Sequence, residues 1–239
     1  LLFGNISASG MIRLIDAAFP RKMIEQFQGP KFGIQGLREV LGVPERPLLN
    51  AMIKPNIGWT ADEGAELFYR ACRGGVDVIK DDELMLADGP FCPLEERVRK
   101  FMAAEKRVYE ETGEHSLYAV NISDETAKVR DNAYRVLERG GNCLMVNVYT
   151  TGFDTLKMLA DDPHIQVPIL AHVNFAGAMA GSTYTGIAAP LLVGKITRLA
   201  GGDFQINGHP FGKFPVSYKL FYRSFKFFTQ PWWNIRPMM

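Results

Sequence analysis

Cysteine is scarce: Cys72, Cys92 and Cys143 are the three in 239 residues, and none stands in a CxxC pair or a Cys/His cluster. That spacing supports neither a disulfide framework nor a zinc site, and a reducing cytoplasm is the expected compartment. Charge of one sign is lacking too, with 27 Lys and Arg against 26 Asp and Glu for a net charge of +1. A phosphate backbone calls for a strong or clustered basic excess, so nucleic acid is not an expected partner. Every long apolar run is broken by charge, Gly or Pro before the roughly 20 residues a membrane helix needs, so no membrane association is expected. The segment after Leu1 has neither the charged start nor the small-residue cleavage site of a signal peptide. What is present is an ordinary globular composition, 47% hydrophobic and 22% charged.

From about residue 47 the chain alternates short β-rich runs with longer amphipathic stretches, the pattern of parallel strands joined by crossover helices. Strands are predicted at 48–54, 76–80, 116–122, 143–149, 167–173 and 203–207. Between residues 95 and 111, Val98, Phe101, Met102, Glu105, Val108 and Tyr109 recur at helical spacing, with Gly113 as the terminating cap. A second helix is expected to open at Ser123 and close at Gly140–Gly141, and a third to run from about 187 to 200. The glycine fingerprint of a dinucleotide-binding sheet is missing, so six βα steps predict an α/β fold of the (β/α)8 TIM-barrel type. Residues 1–46, punctuated by Gly29-Pro30, Gly33 and Pro44, read as the tail of an earlier α+β domain and a linker. Residues 47–239 then form the barrel, with a seventh strand only beginning at Arg236–Met239. On this reading the sequence is a fragment, cut before strands seven and eight.

Function in such barrels sits at the carboxyl ends of the strands. The predicted strands end in Lys54-Pro55-Asn56, Lys80-Asp81-Asp82-Glu83, Asn121, Asn147 and His172, and the sixth is followed by Asn207, His209 and Lys213. A single such residue is most simply a solvated or core-satisfied side chain, but five or six strands ending this way are not explained by chance. Strand alternation turns Lys80 and Asp82 to one face, and Glu83 can join them past the strand end. Two carboxylates and a third oxygen donor suit Mg2+, and a lysine there becomes a ligand only if neutralised, for example as a carbamate formed with CO2. Lys54, between Ile53 and Pro55, is expected on a buried strand with its pKa lowered toward that of a general base. His172 is open to three roles: base, phosphate donor or core histidine. The segment 208–215, with glycines on both sides of Lys213, has the character of a mobile lid.

Gly74-Gly75-Val76-Asp77-Val78-Ile79-Lys80-Asp81-Asp82-Glu83 resembles the metal motif of the RuBisCO large-subunit superfamily, and the similarity extends to Gly29-Pro30-Lys31-Phe32-Gly33-Ile34 and nearly the whole chain. The resemblance implies a carbamylated Lys80 that binds Mg2+ with Asp82 and Glu83, a proton-abstracting Lys54, an active-site His172 and a lid lysine at Lys213. It also implies that Asn5 is lent to the active site of a partner subunit, so that the protein is a homodimer or a multiple of dimers.

The departures from true carboxylases are Asn56 in place of a second lysine, Val173 in place of an arginine, Ala176-Gly177 where a further histidine stands, and Ile206 or Asn207 at a phosphate-holding histidine. These changes replace part of an anionic pocket with apolar surface, the pattern of the RuBisCO-like proteins of methionine salvage. The implied activity is enolisation or isomerisation of a sugar monophosphate, a 5-methylthio-ketopentose 1-phosphate or its 2,3-diketo derivative, through a Mg2+-stabilised enediolate. Decarboxylation of a branched-sugar phosphate, true ribulose-bisphosphate carboxylation and a non-catalytic subunit remain open alternatives.

Overall fold

In the computed structural model, residues 5–8, 10–56, 58–213 and 215–229 are described. Six strands, β1 (Asn50–Met52), β2 (Val78–Lys80), β3 (Leu117–Asn121), β4 (Cys143–Asn147), β5 (Ile169–His172) and β6 (Phe204–Gln205), lie side by side in sequence order, each parallel to the next. They fall inside the six predicted ranges and curl into part of a (β/α) barrel. Crossovers run through α1 (Ala61–Arg73), α2 (Leu94–Thr112), α3 (Thr126–Glu138) and α4 (Phe153–Asp161). The connection from β5 to β6 uses a π-helix, Pro190–Ile196, continued by a turn of α-helix, Thr197–Leu199. Beyond β6 comes α5 (Tyr218–Thr229), packed on that π-helix. A two-residue ladder pairs Arg13–Leu14 with Gly186–Ile187. Residues 236–239, where a seventh strand was expected to begin, lie outside the described residues.

Local chemistry sets the boundaries. Thr60 and Glu63 form a reciprocal capping box, Glu63 N–H donating to the Thr60 hydroxyl at 3.3 Å and Thr60 N–H to the Glu63 carboxylate at 2.8 Å, so α1 starts at Ala61. Helix α2 ends where expected, at Gly113, whose φ of 74° only glycine adopts without cost. Two expectations need correction. The helix after β3 starts at Thr126 rather than Ser123, because the Ser123 hydroxyl is committed to the strand ends: it donates to Asn121 Oδ1 at 2.7 Å and accepts from the Asn147 N–H at 2.8 Å. The helix predicted over 187–200 begins three residues later, after the short strand ending at Ile187, and is π-wound for most of its length.

The strand alternation divides the core in two. Ile79, Tyr118, Val120, Leu144, Val146, Ile169 and Ala171 pack outward against the crossover helices. Val78, Leu117, Ala119, Cys143, Met145 and Leu170 face inward and meet Leu37, Leu41 and Val43. Leu37 and Leu41 belong to a helix, Gly33–Leu41, which precedes the first barrel strand and plugs the barrel interior. Its amino end is held by Asp203, just before β6, whose carboxylate accepts from Phe32 N–H at 2.6 Å, Gly33 N–H at 3.0 Å and Ile169 N–H at 2.8 Å. The three cysteines are buried and unbridged. No helix among the described residues is long and apolar enough to cross a membrane.

Candidate active site

The inward faces of four consecutive strands end in polar groups. Above Val78 stands Lys80, above Leu117 and Ala119 stands Asn121, above Cys143 and Met145 stands Asn147, and above Leu170 stands His172. All four are buried. A two-residue period makes this ladder inevitable once the strands are in place, because the last inward side chain of each strand meets the mouth rather than the plugged floor.

Lys80 Nζ donates to the Asp81 carbonyl at 2.7 Å and lies 3.4 Å from Glu83 Oε2. The same Glu83 oxygen is 3.7 Å from His172 Nε2. Burial pushes the Lys80 ammonium below its usual pKa, against the raising pull of Glu83, Asp82 and Asp81. Burial, reinforced by the charge of Lys80, brings His172 down to about 4, so its imidazole is neutral at neutral pH. Its Nδ1 accepts from the Asn174 N–H at 3.1 Å. Glu83 is itself partly desolvated, which raises its pKa, but its own backbone N–H and the charge of Lys80 hold it below the ordinary value.

Lys54 departs from expectation. It lies just past β1, the edge strand, and its side chain is 57% exposed rather than buried. Nζ donates to Asp82 Oδ2 at 2.6 Å, and that hydrogen bond raises the lysine's pKa instead of lowering it. Asp82, 3% exposed, is raised by burial but held low overall by Lys54 and by the Leu84 N–H on its other oxygen. Lys54 is therefore a firmly charged partner of Asp82 in this arrangement.

Asp81 points the other way, as strand alternation requires. It accepts from Tyr118 OH at 2.5 Å, Asn121 N–H at 3.0 Å and Arg97 Nη2 at 3.1 Å. Arg97, fully buried on α2, also donates to Tyr118 OH at 2.8 Å and to the Cys92 carbonyl at 2.6 Å. Desolvation opposes its charge, but Asp81 and Tyr118 hold the guanidinium pKa above its ordinary value. This network anchors the turn that carries Lys80, Asp82 and Glu83, and sequence reasoning missed it. The available signal was Arg97 itself, standing at helical spacing with the apolar Leu94, Val98 and Phe101.

Two asparagines, visible in the sequence as strand-end residues but without a role, grip the same turn. Asn121 Nδ2 donates to the carbonyls of Glu83 at 3.2 Å and Met85 at 3.0 Å, and Asn147 Nδ2 donates to Glu83 O at 3.0 Å.

Lys213 and Asn5 are not brought into this cluster. Lys213 is exposed and lines an adjoining cavity of about 620 Å3, together with Val173, Ala176, Ile206, Asn207 and His209. Asn5 is exposed on a 3-10 turn, Asn5–Ala8, and among the described residues no hydrogen bond joins it to the cluster.

A divalent cation requires hard oxygen donors. Asp82 and Glu83 provide carboxylates side by side, but one is engaged by Lys54 and the other faces Lys80, and no group of three His, Cys, Asp or Glu suited to a metal exists among the described residues. The donor set fits a cation only with Lys80 converted from a cation to an oxygen ligand. Its depressed pKa favours the neutral amine that such a conversion consumes.

A parallel barrel with titratable groups gathered at the carboxyl ends of its strands is an architecture that enzymes use repeatedly. Residues 33–222 match the family model of the ribulose bisphosphate carboxylase large chain, catalytic domain, and the chain belongs to that family. It is 48% identical over 234 residues to a ribulose bisphosphate carboxylase-like protein of Archaeoglobus fulgidus, covering 98% of this chain and 53% of the relative. It is 42% identical over 210 residues to the 2,3-diketo-5-methylthiopentyl-1-phosphate enolase of Geobacillus kaustophilus, covering 88% and 51%. The solved structure of a rubisco-like protein (MtnW) from Alicyclobacillus acidocaldarius superposes with a TM-score of 0.88 at 38% identity, over 95% of this chain and 57% of that one. The chain thus spans about half the length of the curated relatives it matches.

Proposed function

We propose that the protein is a cytoplasmic RuBisCO-like enolase acting on 2,3-diketo-5-methylthiopentyl-1-phosphate or a closely similar ketose monophosphate. The observation that carries the reading is the pairing of two environments at one end of the barrel. The charged cluster of Lys54, Lys80, Asp82, Glu83 and His172 sits at the strand ends, and the apolar cavity begins at Val173, the residue after His172. One end suits proton transfer at a carbonyl. The other suits a methylthio group, since Val173, Ala176 and Ile206 give the cavity a largely carbon lining, with Asn207, His209 and Lys213 as its polar groups. The relative from Geobacillus kaustophilus carries the corresponding enolase name.

Enolisation removes a proton from carbon next to a ketone, the C–H pair becomes a C=C bond, and the carbonyl oxygen gains a proton. Lys54 and Lys213 are the candidate bases, and Lys54 acts as one only after parting from Asp82, which now holds it protonated. His172, neutral and buried, is suited to pass a proton or to donate a hydrogen bond to the developing oxyanion. Carbamylated Lys80, Asp82 and Glu83 would hold Mg2+, which would supply Lewis-acid stabilisation of the negative charge developing on the carbonyl oxygen. Asn5, exposed on its turn, would serve the site of a partner subunit in a homodimer.

The test is a substrate screen of the purified protein followed by proton NMR, with and without Mg2+ and bicarbonate. The diketo phosphate is expected to enolise only with both present. Ribulose bisphosphate is expected to incorporate no labelled CO2, and incorporation would favour the carboxylase reading.

A further inference from the structure

We infer that Asn147 is a further catalytic residue of this site, its side-chain oxygen accepting a hydrogen bond from the hydroxyl that forms on enolisation. Asn147 is buried at 6% exposure and ends the inward face of β4, between Asn121 and His172 on the neighbouring strands. Every other polar group it owns is engaged. Its N–H donates to Ser123 Oγ, its carbonyl accepts from the Thr150 and Thr151 hydroxyls at 3.0 and 3.1 Å, and Nδ2 donates to Glu83 O at 3.0 Å. That last contact also settles the amide orientation, since an oxygen placed against the Glu83 carbonyl would be repelled. Oδ1 is left buried with no hydrogen-bond partner among the described residues. Asn121, in the equivalent place one strand away, has no such deficit, because its Oδ1 accepts from both the Ser123 N–H and hydroxyl.

A buried amide oxygen without a donor is costly, so Oδ1 calls for a partner from outside the described residues. The missing partner is a hydrogen-bond donor, and at a ketone's reacting carbons that can only be a hydroxyl. A 2,3-diketone offers only acceptor oxygens at its reacting carbons, so it cannot satisfy Oδ1 in the ground state. Once the base takes the α proton, the C–H electron pair forms the C=C bond, the C=O π pair moves to oxygen and the protonated base passes its proton there, a hydroxyl donor exists at that oxygen. Oδ1 then gains its bond only as the reaction proceeds, which lowers the barrier without tightening substrate binding. This inference rests on the enolase reading. A water held at the site offers the same O–H chemistry, and the experiment separates the two sources.

The test uses Asn147→Ala and Asn147→Ser, measured by steady-state enolisation of 2,3-diketo-5-methylthiopentyl-1-phosphate, by calorimetric Mg2+ titration with bicarbonate, and by thermal melting. For Asn147→Ala, kcat is expected to fall about tenfold, the worth of one hydrogen bond, with KM unchanged. Mg2+ affinity stays within about twofold, because Asn121 Nδ2 still holds the Glu83 carbonyl. Asn147→Ser, which restores an oxygen, recovers part of kcat and provides a folded comparison if the alanine variant melts early. A raised KM at unchanged kcat, or Mg2+ affinity falling in step with activity, would assign Oδ1 to a bound water or to support of Glu83 and overturn the inference. Unchanged kinetics overturn it as well. A wild-type protein that binds Mg2+ but enolises nothing removes the enolase reading itself, and this inference with it.

Discussion

Replacing Arg97 by Met isolates the buried anchor beneath the candidate site. The guanidinium makes three hydrogen bonds, to Asp81, Tyr118 and the Cys92 carbonyl, and is fully buried. Methionine fills most of the volume, so the loss is electrostatic rather than a cavity. Asp81 would keep the Tyr118 hydroxyl and the Asn121 N–H but lose its only ion-pair partner among the described residues, at 4% exposure. Breaking one half of a buried pair costs about 3–5 kcal/mol, whereas removing both halves costs much less, because no uncompensated charge remains. Urea unfolding should therefore show Arg97→Met destabilised by about 3–5 kcal/mol and the double variant Arg97→Met/Asp81→Leu less destabilised than the single one. Mg2+ affinity should weaken in the single variant, since the Asp81 carbonyl is the hydrogen-bond partner that fixes Lys80 Nζ. A loss below about 1 kcal/mol, or a double variant worse than the single, would refute the claim that this pair is desolvated and mutually dependent.

Three further outcomes follow from the geometry. Lys54→Met should abolish solvent deuterium exchange into the substrate without lowering Mg2+ affinity in calorimetry, because the substitution releases Asp82 from its cation. Asp77 is raised by burial but held below its ordinary pKa overall by the two Arg46 hydrogen bonds and the Leu49 N–H. Its stabilisation is thus complete above the unfolded carboxylate range and lost as pH falls through the folded value; Asp77→Asn should cost about 1–3 kcal/mol at neutral pH and flatten the acid limb of a stability–pH curve. Gly201 has φ 107°, and a Cβ there would collide with Ala160 Cβ, so Gly201→Ala should lower the urea midpoint by at least the equivalent of about 1–3 kcal/mol.

The strands and their polar ends are legible because a parallel sheet buried on both faces writes each strand as an apolar run that stops where the mouth begins. Val78-Ile79-Lys80 and Leu170-Ala171-His172 say this directly. The environment of Lys54 is not legible, because it depends on β1 lying at the sheet edge and on Asp82, 28 positions away in the chain. The helix Gly33–Leu41 hides for a similar reason: its glycines suggest a loop, and the carboxylate that satisfies its first N–H groups is Asp203, 170 residues on. Ser123 has the chemistry of a helix cap, but two neighbouring strands compete for its hydroxyl and win. The π-winding of Pro190–Ile196 leaves no mark in the residue pattern.

The most direct measurement is proton NMR of 2,3-diketo-5-methylthiopentyl-1-phosphate in deuterium oxide with Mg2+ and bicarbonate, comparing the wild-type protein with Lys80→Met. Deuterium should enter the substrate next to the ketone at a catalysed rate with the wild type and at the uncatalysed rate with the variant. Equal catalysed exchange by both proteins would contradict the account, since the strand-end cluster built around Lys80 would then not be where the proton moves.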